Sequence, residues 1–314
     1  LWRETKEPIL IVTFSNDACE NIEKRLSLDA KTTTTIKTIH AFCYEVVRTY
    51  WKELGQILGG DLWPSKPSLV TREQEISLIE ELFKGEKVSN LYDLFLYLRS
   101  LNTDPEHILS LFKKKVYFEK TRQVDIEKFI YFETERKSRG LITFDDMTSL
   151  AESLIPLPYV SVDLSRKYSH ILIDEAQDTS SQQWKILRPL IVEASTSLCV
   201  GDKNQAIYSF RGADGSVLLN MQLMQESVTF RLSKSFRSGS TIANVANKVC
   251  HDSSSQIVPQ DHMGNVSVFK FPTVEEEAEW VLKNICKDSA IISRTNSYLE
   301  KFERQLIEKE INYM

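Results

Sequence analysis

Two adjacent carboxylates follow a short apolar run, and this pairing is the strongest chemical feature of the sequence. Residues 170–173 read His-Ile-Leu-Ile, and Asp174 and Glu175 come directly after them. Such a run is typical of a buried parallel strand, so both acids would leave the strand at its carboxyl end. Open α/β sheets bind their ligands at that end. Because successive side chains alternate faces, the two acids can perform different tasks.

The two carboxylates suit the hydrolysis of a nucleoside triphosphate. Asp174 would bind a hydrated Mg²⁺, which proteins usually hold through one or two carboxylates together with substrate phosphates. Glu175 would act as the general base that orients the water attacking the terminal phosphate. A bare Asp-Glu pair more often just ends a strand and caps a helix. The longer string Asp-Glu-Ala-Gln-Asp after an apolar run is more specific, and it favours the catalytic interpretation.

A second polar stretch follows the next predicted strand. Residues 201–202 are Gly-Asp, which permits a sharp exit from that strand, and Gln205 is then placed to hydrogen-bond a γ-phosphate or its attacking water. Tyr208 and Phe210 share one side of an extended segment, with Arg211 next to them. Exposed rings of this kind can stack on unpaired bases, at about 1–3 kcal/mol per base. The alternative is that these rings pack beneath their own loop.

Two more strand-to-helix turns are predicted at the same edge of the sheet. Phe14 and Asn16 follow an apolar run, and Asn16 is a good N-cap for the next helix. Thr38 can cap another helix, which puts His40 and Phe42 at a comparable turn. Alone, Phe14 is more simply a core residue and His40 a structural histidine. Their repeated pattern suggests instead that loop tips along one rim share a task.

The sequence changes character between two α/β portions. Residues 52–140 contain a Gly- and Pro-rich linker followed by apolar residues at helical spacing, which predicts an all-helical insertion ending at Gly140. The insertion would divide an α/β domain into residues 1–51 and 141–230. A second α/β domain would begin at residue 231 and continue to residue 314.

The predicted second domain carries its own candidate ligands. Arg237 precedes a predicted helix, and its planar guanidinium suits a phosphate in the transition state. The neighbouring Phe236 could lie against an adenine face. Strands are predicted to begin at Phe230 and to span 266–268 and 290–293, the last of them ending at Arg294.

Composition limits the class of protein. The chain has 314 residues, 42% of them hydrophobic and 26% charged, as in globular proteins of two or three domains. Five cysteines without a C-x-x-C pair argue against a disulfide framework or a zinc site, and fit reduced, mostly buried thiols. No apolar run could cross a membrane and the first residues are not a signal peptide, so we expect a cytoplasmic protein with no membrane partner. The net charge of −5 does not favour nucleic acid, although single-strand binding can depend on a local groove.

Together these motifs resemble those of the UvrD/Rep/PcrA family of superfamily-one DNA helicases. The resemblance implies an α/β fold, with a RecA-like P-loop NTPase motor domain on a parallel sheet. It also implies a helical 1B-like insertion and the start of a second RecA-like domain. The matching blocks occur in the family's order, at residues 13–16, 38–43, 174–178, 201–214, 235–238 and 294–296.

The resemblance also assigns roles. It implies ATP and Mg²⁺ as cofactors, 3′–5′ movement on single-stranded DNA or a single-strand/duplex junction, and a nuclease or repair protein as a further partner. Asp174 would bind Mg²⁺, Glu175 would be the catalytic base, and Gln205 and Arg237 would contact the γ-phosphate, with Phe236 beside the base. The residues expected along the DNA strand are Phe14, Asn16, Thr38, His40, Phe42, Tyr208, Phe210, Arg211 and Arg294.

The chain departs from the family pattern in several places. Asp17 stands where the family usually has lysine, and Phe236 where it usually has tyrosine. The sequence contains no Gly-x-x-x-x-Gly-Lys-Ser/Thr phosphate loop (Walker A), which the family carries ahead of the position of Leu1. We therefore expect negligible ATPase activity from these residues alone. The alternative is a motor relic that binds single-stranded nucleic acid or a protein without turnover, although a complete γ-phosphate set favours the motor.

Overall fold

A computed structural model describes most of the chain. The described residues are 6–26, 33–58, 66–100, 123–207, 216–224, 226–250, 255–260, 264–286, 288–308 and 311. They fall into two compact units, residues 1–229 and 230–314. Within the described residues, no helix has both the length and the apolar character that a membrane span requires.

The first unit alternates strands and helices. Two short 3₁₀ turns, Ala176–Asp178 and Lys203–Gln205, follow its last two strands. Its elements in chain order are β1 (Ile9–Thr13), α1 (Asn16–Arg25), β2 (Thr34–Thr38), α2 (Ile39–Thr49), α3 (Trp51–Leu58), β3 (Ser68–Leu69), α4 (Arg72–Leu82), α5 (Val88–Ser100), α6 (Gln123–Ser138), β4 (Leu141–Ile142), α7 (Phe144–Leu154), α8 (Pro158–Lys167), β5 (His170–Ile173), α9 (Ser181–Glu193), β6 (Thr196–Cys199) and α10 (Ser216–Gln222).

A four-stranded parallel sheet forms the centre of this unit, in the order β2-β1-β5-β6. All residues of β1 are buried, as expected for an inner strand covered on both faces. The α/β class with a parallel sheet, predicted from the apolar runs, is confirmed. Because the strands share one direction, their carboxyl ends lie along one edge, which we call the carboxyl edge. The residues at or directly after the ends of these strands are Thr38, Phe14, Asp174 and Val200.

The helices that leave the carboxyl edge begin at side-chain caps. Thr38 caps α2 as predicted, and its Oγ1 accepts a hydrogen bond from the Ala41 N–H at 3.2 Å. The cap of α1 is Ser15 and not Asn16, since the Ser15 Oγ accepts from the Ala18 N–H at 3.1 Å. Ser15 has the extended backbone that an N-cap requires, whereas Asn16 is already helical.

Helices α4, α5 and α6 have an apolar core of their own. Phe95 lies near its middle, with ring centroids 5.6 Å from Phe129 and 4.9 Å from Phe132.

The predicted glycine stop after α6 is confirmed, because Gly140 has a φ of 70°. The prediction that residues 52–140 are all helical is wrong in one detail. The strand β3 pairs in parallel with β4, and strands of two residues are too short to show a sequence period.

A buried charge network joins this helical region to α7. Arg136 is fully buried, and its Nη1 lies 2.7 Å from Asp146 Oδ2 and 2.6 Å from the Leu141 carbonyl oxygen. Arg136 also pairs with Glu133, which in turn accepts a hydrogen bond from Arg99 at 2.6 Å. Burial alone would raise the pKa of Glu133 and of Asp146, but the Arg136 guanidinium holds both below their ordinary values.

The Arg136 network predicts a large stability difference between two arginine variants. Arg136→Met would leave two buried carboxylates without their main partner, so we expect the free energy of unfolding to fall by about 3–5 kcal/mol. Arg139→Met removes an exposed pair with Glu81 and should cost at most about 1 kcal/mol. Urea denaturation measures both, and equal losses would contradict a structural role for the network.

The second unit contains β7 (Lys234–Gly239), α11 (Ser240–Val249), β8 (Val258–Gln260), α12 (Val274–Asn284) and α13 (Asn296–Glu308). Strands β7 and β8 form a parallel ladder with one irregularity. The strands predicted at 230–232, 266–268 and 290–293 are wrong, since none belongs to a described β-ladder. An apolar run predicts a buried strand only if neighbours cover it, and Leu232 is 95% exposed and Ile292 91% exposed.

All five cysteines are free thiols, as predicted. The expectation that most of them are buried is wrong, because Cys43 alone is buried and Cys286 is exposed. Cys19, Cys199 and Cys250 are half-buried.

Candidate nucleotide and nucleic-acid site

Asp174 and Glu175 diverge at the end of β5. The Asp174 N–H donates to the Val12 carbonyl oxygen at 2.9 Å, so Asp174 continues the strand and is half-buried. Glu175 has a φ of 51°, in the left-handed region that non-glycine residues rarely adopt, and its side chain is exposed. Such a backbone is strained, and strained residues of this kind cluster at functional sites. The different tasks predicted for the two acids are compatible with this divergence.

A chain of hydrogen bonds connects Glu175 to the loop after β6. Glu175 Oε2 accepts from Gln177 Nε2 at 2.7 Å, and Gln177 Oε1 accepts from the Asp202 N–H at 3.0 Å. Asp202 Oδ2 then accepts from Gln205 Nε2 at 3.0 Å. The structure therefore links Glu175 and Gln205, both predicted from the sequence, through Gln177 and Asp202, to which the sequence analysis gave no chemical role. The sequence signal for Gln177 was its position inside the string Asp-Glu-Ala-Gln-Asp.

Position 201 has no room for a side chain larger than that of glycine. A Cβ atom there would lie 2.5 Å from Gln177 Oε1 and 3.2 Å from the Ala176 nitrogen. The left-handed backbone that glycine favours occurs at Gly85 and Gly140 and not at Gly201. Glycine therefore lets the loop after β6 come close to the turn after β5, a contact that the sequence analysis did not predict.

The acids at the carboxyl edge concentrate negative charge. Burial and the neighbouring Glu175 carboxylate raise the pKa of Asp174, and the same two causes raise the pKa of Asp178. Asp178 Oδ1 is buried without a hydrogen-bond partner. A cation would relieve this repulsion. Among the described residues, no group of three or more His, Cys, Asp or Glu could hold a metal ion.

A small depression lies at the carboxyl ends of β1 and β5. Phe14 lies in this depression, half-buried, and is therefore neither a full core residue nor a fully exposed ring. One concavity thus contains Phe14, which is predicted for DNA, and Asp174 and Glu175, two of the four residues predicted for hydrolysis. Its polar and aromatic lining consists of Thr13, Phe14, Asp174, Glu175, Thr179 and Gln183.

Three other predicted DNA residues lie along the same edge. Asn16 is exposed at the start of α1, and Thr38 is engaged as the cap of α2. His40 is half-buried, and burial lowers its pKa, although the nearby Asp145 carboxylate acts in the opposite direction. The lowered pKa favours the neutral imidazole at pH 7. Its ring meets Phe144 edge-on, with centroids 6.0 Å apart. Phe144 is 57% exposed and was missed from the sequence, although an aromatic residue opening a helix after a short strand was a usable signal.

The prediction that Phe42 contacts DNA is wrong. Phe42 is 1% exposed, and its ring packs against Tyr168 with centroids 6.4 Å apart. It lies on the buried stripe of α2 with Ile39 and Val46, because residues three and four apart share one helix face. Tyr208, Phe210 and Arg211 lie outside the described residues.

The remaining predicted ligands belong to the second unit. Arg237 is exposed on β7, and Arg294 is exposed just before α13. Phe236 is 76% exposed, and the Lys234 ammonium lies 5.5 Å from its ring centroid. All three side chains are thus accessible to a ligand on their own unit.

Residues 3–225 of the chain match the UvrD/REP helicase N-terminal domain, and the chain therefore belongs to the UvrD/Rep helicase family. The ATP-dependent DNA helicase PcrA of Staphylococcus aureus is 23% identical over 326 aligned positions, covering 97% of this chain and 44% of that protein. The PcrA helicase of Leuconostoc citreum is 23% identical, covering 99% and 43%. The probable DNA helicase II homolog of Mycoplasma capricolum is 26% identical, covering 97% and 45%. The chain spans less than half the length of these relatives.

The crowding of acids predicts that Asp174→Asn stabilises the fold. In the folded chain the Asp174 carboxyl titrates at higher pH than in the unfolded chain, so at pH 7 its ionised form opposes folding. We expect the variant to unfold roughly 1–4 °C higher at pH 7. The gain should shrink as the pH falls through the raised pKa of the folded carboxyl, and it should disappear below the ordinary pKa of aspartate, where the carboxyl is protonated in both states.

Thermal unfolding followed by circular dichroism measures this difference. Asp93→Asn, at an exposed position on α5, is the matched control and should change the melting temperature by less than about 1 °C. A lower melting temperature for Asp174→Asn would contradict the electrostatic account of the site.

Proposed function

We propose that this protein is an ATP-dependent translocase or helicase that moves 3′ to 5′ on single-stranded DNA. The described first unit would supply the core of a RecA-like motor domain with a 1B-like helical insertion. Residues 231–314 would begin the second motor domain. The observation that carries the proposal is the hydrogen-bonded connection from Glu175 to Gln205 at the carboxyl edge, beside Asp174.

The chemistry of each side chain follows from its surroundings. Asp174 would hold Mg²⁺ through its carboxylate, and bound Mg²⁺ would supply positive charge to the phosphates of ATP. Glu175 would orient the attacking water and accept its proton. Gln205 would donate a hydrogen bond to the γ-phosphate, and Arg237 would stabilise the charge of the transition state. Phe236, with its exposed ring, would lie against the adenine.

The proposed base predicts the effect of an isosteric substitution. Glu175→Gln removes the proton acceptor, so DNA-stimulated ATP turnover should fall by about 10²–10⁴-fold. The assay requires the protein in a form that includes a phosphate loop, because residues 1–314 alone are expected to have negligible activity. Glu193→Gln, at an exposed position ending α9, is the control and should leave turnover unchanged. Unchanged turnover in Glu175→Gln would refute the assigned role.

The DNA strand would follow the carboxyl edge past Phe14, Asn16, Thr38 and His40. The exposed Phe144 beside His40 supports this path, because it adds a ring to the same stretch of surface. Arg294 would contribute from the second unit. Tyr208, Phe210 and Arg211 belong to the proposal by family resemblance. We further propose that the protein also acts on a single-strand/duplex junction and that a nuclease or repair protein is its partner. Its proposed location is the cytoplasm.

The proposed DNA path predicts that Phe14→Ala weakens binding of a single-stranded oligonucleotide by about 1–3 kcal/mol, the value of one stacked base. Fluorescence anisotropy measures this without ATP. Tyr159→Ala is the matched control, since Tyr159 is an exposed ring on α8 near Tyr50, beyond the far end of α2. Equal affinities for Phe14→Ala and the unmodified chain would remove Phe14 from the DNA path.

A further inference from the structure

We propose that Gln177 is a positioning residue that fixes the Glu175 carboxylate and couples it to residues 201–205. The proposal rests on the proposed function, since it gives Glu175 the task of orienting the attacking water. It concerns Gln177 alone, which acts through Glu175 and needs no contact with nucleotide or DNA.

The side-chain chemistry at position 177 is specific. Gln177 is 1% exposed, and its amide donates to Glu175 and accepts from the Asp202 N–H at the same time. A glutamine amide carries both a donor and an acceptor, whereas a carboxylate can only accept and an aliphatic side chain can do neither. A buried amide left without partners would be unfavourable, so the two loops are held at a fixed separation.

Glu175 needs such a support more than an ordinary glutamate. Its backbone lies in the left-handed region and its side chain is exposed, so packing alone does not fix the carboxylate. A general base contributes only if its carboxylate is already aimed when the substrate binds. The 2.7 Å hydrogen bond from Gln177 aims it from a buried position.

The Gln177 amide oxygen, at the other end of the bridge, fixes the position of residues 201–205, which would contact the phosphate. Gly201 leaves just enough room for Gln177 Oε1, and the Asp202 carboxylate accepts from both the Asn204 N–H and Gln205 Nε2. A movement of Gln205 with the γ-phosphate would therefore shift Asp202, and through Gln177 it would shift Glu175. Water activation and phosphate contact would respond together.

Amide hydrogen exchange tests the bridge without nucleotide. In the full chain, Gln177→Leu should speed exchange of the Asp202 amide by about 2- to 10-fold, the effect of losing one hydrogen bond. Gln177→Glu keeps the acceptor for that amide, so its exchange should stay near the original rate. Gln182→Leu changes a nearby half-buried glutamine that contacts Ser149 and should have no effect. Unchanged Asp202 exchange in Gln177→Leu would overturn the bridge.

Steady-state kinetics test the coupling in a form of the protein that includes a phosphate loop. Gln177→Leu and Gln177→Glu should both lower kcat about 10- to 100-fold while the KM for ATP stays close to the original value. The double variant Glu175→Gln/Gln177→Leu should be no slower than Glu175→Gln, because both changes remove one function. A merely structural role would instead give multiplicative losses of kcat in the double variant.

The outcomes separate this inference from the proposed function. If the original protein hydrolyses ATP, Glu175→Gln abolishes turnover and Gln177→Leu is fully active, only the role of Gln177 is refuted. If Glu175→Gln is also fully active, the proposed function fails and the role of Gln177 fails with it.

Discussion

The common direction of four strands is the constraint on which the site depends. Parallel pairing places the residues after β1, β2, β5 and β6 along one edge, although they are far apart in the sequence. Once the strands are in register, with Val12 opposite Ile173 and Ile173 opposite Cys199, the loops that follow must lie side by side. Gly201 then permits the close approach that brings the Asp202 amide to Gln177. Sheet geometry, and not any single motif, therefore assembles the candidate machinery.

The carboxyl edge is not arranged for stability. It crowds acids whose pKa values rise through burial and mutual repulsion, leaves an Asp178 oxygen without a partner, and holds Glu175 in a strained backbone. The Arg136 network, by contrast, pairs its buried carboxylates with guanidiniums and lowers their pKa values. Acids without a neighbouring positive charge at a ligand-binding edge indicate a site for a cation and phosphates. Acids that are paired with arginine between helices indicate a structural role.

The sequence predicted the features that follow from local rules. The apolar run before Asp174, the Thr38 cap and the Gly140 stop each depend on a few neighbouring residues, and the structure contains all three. The prediction for Phe42 is wrong because the helical stripe that it shares with Val46 buries it, whatever its position in the motif. The role of Gln177 depends on a contact with Asp202, 25 residues away, which no local pattern encodes. The strands predicted in the second unit failed because apolar runs specify strands only where other chain segments cover them.

The central claim is that a nucleoside triphosphate binds at the carboxyl edge with its terminal phosphate facing Glu175 and Gln205. The most direct measurement is a crystal structure of the protein, in a form that includes a phosphate loop, with Mg²⁺ and a non-hydrolysable ATP analogue. The account predicts Mg²⁺ on the Asp174 side of the depression and the γ-phosphate between Glu175 and Gln205. A nucleotide bound elsewhere, with Glu175 and Gln205 facing only solvent, would contradict it.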